Sequence, residues 1–215
     1  MKSIDAPMNQ SYRGSPQEVI SFLPTDIHTL LDVGCSAGEF GMSVRRQGVK
    51  VWGVESVQEA AEEAKKVLSE VVNGLFDGEV SIPDDFFDVV TFNDSLEHFP
   101  HPMPPLILAK KKLKADGILI CSIPNVRYIE NIKNPLFGKD WAYSEKGILD
   151  ETHLRFFTKK SMVRTIEQAG YHVTGVHGIN PFYESGRKTK VLATMLEPWA
   201  EDMKYYEYVV IAKPA

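Results

Sequence analysis

The chain has 215 residues, 43% hydrophobic and 25% charged, with a net charge of −5; this supplies a full apolar core for one domain and counts against general affinity for nucleic acid or membrane. Two distant cysteines, Cys35 and Cys121, fit neither a disulfide framework nor a zinc spacing. With no apolar leader and no run near the ~20 residues that span a bilayer, a reducing cytoplasm is the expected compartment.

The elements alternate along the chain. An N-terminal cap, about 1–27, carries "SYRGSPQEVISFLP", which reads as a short helix. "TLLDVG" (29–34) is a first strand closed by glycine, and "EFGMSVRRQG" (39–48) a helix stopped by Gly48. "VKVWGVE" (49–55) is a second strand. In "VQEAAEEAKKVLSE" (57–70) Val57, Ala60, Ala61, Ala64, Val67 and Leu68 mark one helical face. "VVNGLF" (71–76) is a weaker third strand and "FFDVVTFND" (86–94) a fourth. The helix "PPLILAKKKLKADG" (104–117) ends in lysines, as the helix dipole favours, and its "KKKLK" run reads as a solvated face. "ILICSIPN" (118–125) is a fifth strand. An irregular insertion, about 126–157, precedes a helix over 159–170 capped by Thr158. Strands over 171–179 and 205–214 complete the pattern. The expected fold is α/β, a doubly wound, mostly parallel seven-stranded sheet with helices on both faces, in one domain spanning 1–215.

Ligands bind such sheets outside the carboxyl ends of the strands. "LDVGCSAGEF" falls there, with Gly34 and Gly38 free to turn tightly. Position 36 is Ser, so the loop reads G-x-x-x-G and not the dinucleotide G-x-G-x-x-G. Asp32 at the end of strand 1 would oppose a pyrophosphate but suits a cationic ligand without phosphate, such as S-adenosylmethionine (SAM). Glu55 ends strand 2, about twenty residues beyond Gly34, where an acid accepts ribose hydroxyls.

With "LLDVGCSAGEF", "VWGVE" and "FDVVTFNDSLEH" in register, the sequence resembles the class I SAM-dependent methyltransferases. "LEH" and "ETHLRFFT" resemble the branch that includes ubiquinone-type, glycan and natural-product methyltransferases. The resemblance implies a Rossmann-like methyltransferase fold with SAM as cofactor and S-adenosylhomocysteine as product. Asp32 would hold the methionine amino end, and the loop Gly34, Cys35 and Gly38 would wrap it. Glu55 would bind the ribose and Ser56 lie against adenine. Asn93 and Asp94 would approach the sulfonium side. Where relatives carry an adenine-binding Asp this chain has Leu75, so Asp77, or the backbone and ring of Phe76, would take that contact. Tyr12 and Arg13 would close on the methionine end.

Methyl transfer to a hydroxyl benefits from a base, and His98 follows strand 4 directly. It suits catalysis or the bracing of the next helix. Asp94, Glu97 and His98 also have i, i+3, i+4 spacing with mixed O/N ligands, but three ligands from one turn are a thin set and no metal is assigned. The insertion is rich in aromatics, Tyr128, Phe137, Trp141 and Tyr143, which can wall an acceptor pocket. In "ILDETHLRFFTKK" (148–160) His153 and Arg155 would turn toward that pocket while Phe156 and Phe157 anchor the segment; His153 acts as a second catalytic group or as a loop pin. The expected activity is methylation of a small-molecule acceptor, at oxygen, by a monomer or homodimer. A non-catalytic SAM-binding scaffold and a nicotinamide dehydrogenase are the alternatives; the missing middle glycine and Asp32 count against the latter.

Overall fold

The computed structural model describes residues 16–181 and 200–215. A short helix, α1 (Pro16–Ile20), leads into β1 (Thr29–Val33), α2 (Glu39–Arg45), β2 (Lys50–Glu55), α3 (Gln58–Ala64), β3 (Glu70–Asn73) and β4 (Phe87–Asn93). A 3-10 turn (Leu96–His98) precedes α4 (Met103–Lys112) and β5 (Leu113–Pro124). The insertion carries α5 (Ile129–Lys133) and a π-helical turn (Asn134–Gly138); α6 (Lys159–Gln168), β6 (Tyr171–Pro181), a 3-10 turn (Glu201–Lys204) and β7 (Tyr205–Pro214) follow.

The seven strands form one sheet in the order β3-β2-β1-β4-β5-β7-β6. β1 pairs in parallel with β2 and β4, and β4 with β5, while β7 runs antiparallel between β5 and β6. Both faces of the sheet are covered, which is why its strands read as unbroken apolar runs. Leu31, Val90, Leu119 and Val210 face one core with Leu106 of α4 and Met162 of α6. Their neighbours Leu30, Val89, Ile120 and Val209 face the other, with Val19 of α1 and Val44 of α2. At the amino edge Asp88 pins β4 to β1 by accepting N–H bonds from His28 and Thr29, both at 2.8 Å, and pairs with Lys114. Thr158 caps α6 in a reciprocal box with Ser161: Thr158 Oγ1 accepts from Ser161 N at 3.2 Å and Ser161 Oγ from Thr158 N at 2.8 Å.

Five sequence expectations are corrected. α4 stops at Lys112 and β5 already begins at Leu113, which pairs with Phe87; pairing with β4 draws the "LKADG" residues, which charge pattern gave to the helix, into an irregular start of the strand. Lys112 is not on a solvated face: it is buried, donating to Asp84 and to the Ile82 carbonyl at 2.7 Å each. The helix expected over 57–70 is α3 and ends at Ala64, although Leu68 still reaches the core, and the third strand covers 70–73 because Phe76 has left the sheet. Phe157 is buried in the core, but Phe156 is only half-buried, set edge-on to Trp141 with Tyr143 beside it.

Candidate active site

The loops after β1, β2 and β4 meet at the carboxyl edge of the sheet. Gly34 and Cys35 donate to the Val54 carbonyl at 2.8 and 3.1 Å, holding the first loop against β2. Gly34 has φ +79°, and a Cβ there would stand 2.7 Å from the Cβ of Ser95, so both conformation and space demand glycine. Ser95 donates to the Val33 carbonyl at 2.7 Å, tying the loop after β4 to the loop after β1. The Cys35 side chain turns away into the core, where a Cβ on Gly53 would meet its Sγ at 2.5 Å. Burial pushes its thiol up, and only its backbone remains with the loop.

Asp32 is 2% exposed and accepts from Thr91 Oγ1 at 2.9 Å. Burial pushes its carboxyl up to about 7; the Thr91 bond pulls it down part of the way and the Glu55 charge adds to the rise. Glu55 is buried too, and its oxygens accept from Ser36 N at 2.9 Å and Val57 N at 2.8 Å. Asn73 secures the same corner by donating to the Glu55 carbonyl at 2.9 Å. Ser56 is exposed beside it. Past β3, Leu75 is exposed, whereas Phe76 is buried edge-on to Phe92. The Phe76 ring is therefore core, and only its backbone can meet a ligand. Asp77 is exposed and accepts from Glu79 N.

At the end of β4, Ser122 donates to Asn93 Oδ1 at 2.7 Å and lies 3.3 Å from Asp94 Oδ1. Asp94 is held at φ +45°, and burial, opposed by the Ser122 bond, pushes its carboxyl up to about 6. Thr91, Ser95, Ser122 and Asn73 belong to this site although sequence reading passed over them; isolated hydroxyls and amides inside strand patterns carry no signal of their partners. Tyr12 and Arg13 lie outside the described residues.

The two histidines come together. His98 and His153 stack edge-on with ring centroids 4.8 Å apart. The Nδ1 of His98 meets the Thr152 carbonyl at 3.2 Å and that of His153 the Ile148 carbonyl at 3.0 Å. A carbonyl only accepts, so each Nδ1 carries the proton and each Nε2 presents a lone pair. Burial lowers both imidazoles below their usual range, and His153 lowers His98 further. Glu97 is 1% exposed, and neither carboxyl oxygen is hydrogen-bonded among the described residues; its Oε1 stands 3.8 Å from His153 Nε2. Burial and then the Asp94 charge push Glu97 well up. Glu97, His98 and His153 offer ligand atoms within 4.8 Å of one another, a donor set a divalent ion accepts; in it His153 replaces the Asp94 that spacing alone suggests.

The opening of the insertion is tied down at both ends. Leu154 N and Arg155 N donate to the Glu97 carbonyl at 2.9 and 3.0 Å, and the Arg155 guanidinium donates to the Pro100 carbonyl. Arg155 is thus a strap on the turn after β4. At the other end the fully buried Asn125 donates to the carbonyls of Asp202 and Tyr205, and Arg127 pairs with Asp202 at 2.7 Å. Between them Phe137, Trp141 and Tyr143 are exposed.

The site fits the cofactor the motifs imply. Gly34 leaves room where a side chain would intrude, Asp32 and Asp94 offer carboxyls to cationic groups, and no Lys or Arg among the described residues pairs with them to favour a phosphate. Comparison with known proteins agrees. Residues 9–176 match the model of the family described as "Methyltransferase domain". The ubiquinone biosynthesis O-methyltransferase of Vibrio cholerae is 26% identical over 169 residues, 74% of this chain and 67% of that one. Its Actinobacillus pleuropneumoniae counterpart is 35% identical over 108 residues, 45% of each chain. A SAM-dependent methyltransferase structure from Archaeoglobus fulgidus superposes with a TM-score of 0.70 over 94% of this chain and 95% of that one at 20% identity, a likeness of fold. With the family model covering most of the chain and the sheet order, glycine loop and buried acids in agreement, the chain belongs to the SAM-dependent methyltransferases.

Proposed function

We propose that this enzyme methylates a hydroxyl group of a small-molecule acceptor, with His98 as the general base. The observation that carries the assignment is the fixed His98 tautomer: its Nδ1 is engaged by the Thr152 carbonyl, leaving the Nε2 lone pair to take a proton beside the end of β4. Its lowered basicity keeps the ring neutral at physiological pH, the form that accepts. The relatives named ubiquinone biosynthesis O-methyltransferase support oxygen as the acceptor atom.

When bound, SAM supplies a methyl group already activated by its sulfonium. The residues that would hold it are Asp32 at the amino end, Gly34 and Gly38 along the loop, Glu55 at the ribose, Ser56 and the Phe76–Asp77 backbone at the adenine, and Asn93 and Asp94 near the sulfonium. Glu55 still has lone pairs for ribose hydroxyls beyond the two N–H bonds it accepts. His153, its side chain 9% exposed, would brace the His98 ring. Trp141 and Tyr143 would shield the acceptor from water. Radiolabelled SAM offered with a panel of phenols, sugars and other alcohols tests this. Transfer that is lost in His98→Ala while SAM still binds is expected; SAM binding with no transfer to any acceptor would make the chain a scaffold.

A further inference from the structure

Two carboxylates flank β4 at equal remove. Glu55 closes β2, two strands to one side, and Glu207 lies near the start of β7, two strands to the other. The register brings Glu207 to the same edge and face as the site. Asn93 pairs with Ser122, Ser122 with Val209, and Pro124 with Glu207. Paired residues project to one face, as the 2.7 Å bond from Ser122 to Asn93 bears out. Glu207 therefore shares that face, one pleat repeat, roughly 7 Å, further toward the carboxyl edge than Asn93 and about 10 Å across the sheet. A cofactor lying from Glu55 to Asp94 leaves Glu207 on the opposite half, where the acceptor enters.

Glu207 is 3% exposed, and the one side-chain hydrogen bond it accepts among the described residues is long: Asn180 Nδ2 donates to Oε2 at 3.4 Å. No donor among the described residues reaches Oε1. Val19, Ile179 and Val209 share one apolar cluster, which seats α1 over this corner and brings Glu18 with it. Among the described residues the buried Glu18 Oε2 meets no donor, and Glu97 meets none at either oxygen. Burial, followed by the charges of Asp94, Glu97 and Glu18, pushes the Glu207 carboxyl well above its usual range, and no Lys or Arg among the described residues pairs with it. Buried carboxyls that meet few donors among the described residues mark a place that a cationic group would complete.

We propose that Glu207, with Glu18 beside it, binds a protonated amino group of the acceptor, so that the substrates are amine-bearing hydroxyl compounds. The ammonium N–H groups would donate to Glu207 in a desolvated, charge-assisted contact while the hydroxyl faces His98. This assignment rests on the methyl-transfer reading of the site.

Matched probes test it: tyramine against 4-ethylphenol, and glucosamine against glucose. Binding is titrated calorimetrically to protein saturated with S-adenosylhomocysteine, and transfer is followed from radiolabelled SAM. The amine of at least one pair should bind about tenfold tighter or better. Glu207→Gln should bring the two members to within about twofold and Glu18→Gln should shrink the gap, with S-adenosylhomocysteine affinity and melting temperature kept in both. No amine preference in either pair, or a preference that survives both substitutions, overturns the proposal. Amine binding that needs Glu207 without any methyl transfer would instead refute the methyl-transfer reading and leave the amine site standing. Transfer to both members of each pair alike would refute the amine site alone.

Discussion

Nε2 of His153 stands 3.8 Å from Oε1 of Glu97, while the other side of the imidazole is held by the Ile148 carbonyl at 3.0 Å. The distance is too long for a hydrogen bond, so His153 is wedged between Glu97 and the edge of His98 with its tautomer fixed from behind.

That wedge separates the two histidines by role. His98→Ala should lower the rate of transfer by about 10²–10⁴-fold, the range of a lost general base. His153→Ala should lower it by roughly ten- to a hundredfold through loss of the brace, a fraction of the base's own effect. The double variant should be no slower than His98→Ala, because His153 acts through the ring that is already gone. SAM affinity, measured by calorimetry, should hold in all three. Additive losses in the double variant would give His153 a role of its own.

Asp32 should make SAM binding depend on pH. Its carboxyl is raised from 3.8 to about 7 by burial, partly offset by Thr91 and reinforced by Glu55. A cationic ligand group favours the carboxylate, so binding expels a proton, and affinity should rise with pH up to about 7 and level off above it. For the ligand-free protein the sign is reversed. A raised carboxyl pKa favours the folded state most below 3.8, and that advantage is lost as pH rises through about 7. Asp32→Asn should flatten the pH profile of SAM affinity, weaken binding at pH 8, and melt higher than wild type at that pH without ligand. A profile unchanged in Asp32→Asn would remove Asp32 from the ligand.

Two glycine substitutions divide backbone strain from close approach. Gly48 has φ +86° with nothing within 4 Å of a built Cβ, so Gly48→Ala should cost only the left-handed penalty, about 1–2 kcal/mol. Gly34→Ala adds the 2.7 Å encounter with Ser95 and should cost more, with a loss of SAM binding that Gly48→Ala lacks. Urea titrations of both variants provide the comparison; equal costs would mean that the Ser95 loop yields freely.

The paired phenylalanines should differ as their burial does. Phe157, 5% exposed within the main core, should cost about 3–5 kcal/mol on truncation to Ala. Phe156 meets Trp141 and Tyr143 near the surface, so Phe156→Ala should cost about 1 kcal/mol while raising the KM of the acceptor. Equal melting-temperature losses would contradict this division.

Strand order along the chain, the glycine loop and the acids closing β1 and β2 are legible in the sequence, because each rests on local chemistry: apolar runs of strand length, a glycine where φ is positive, a carboxylate at a strand end. Those same residues carry the resemblance to the SAM-dependent methyltransferases. Contacts between distant segments carry no such mark. Only the folded chain sets Thr91 under Asp32 and Ser95 against Gly34, and only it puts Glu97 between β4 and a histidine of the insertion. Glu207 lies within the apolar run of a late strand, where nothing in the sequence marks it. It becomes a buried carboxyl of the site because β7 enters antiparallel between β5 and β6, a pairing settled by the packing of the whole sheet. Sequence fixes which groups stand at the ends of strands, since that follows from local pattern. Which of those groups face one another is a property of register and strand order, and these are determined by the core as a whole.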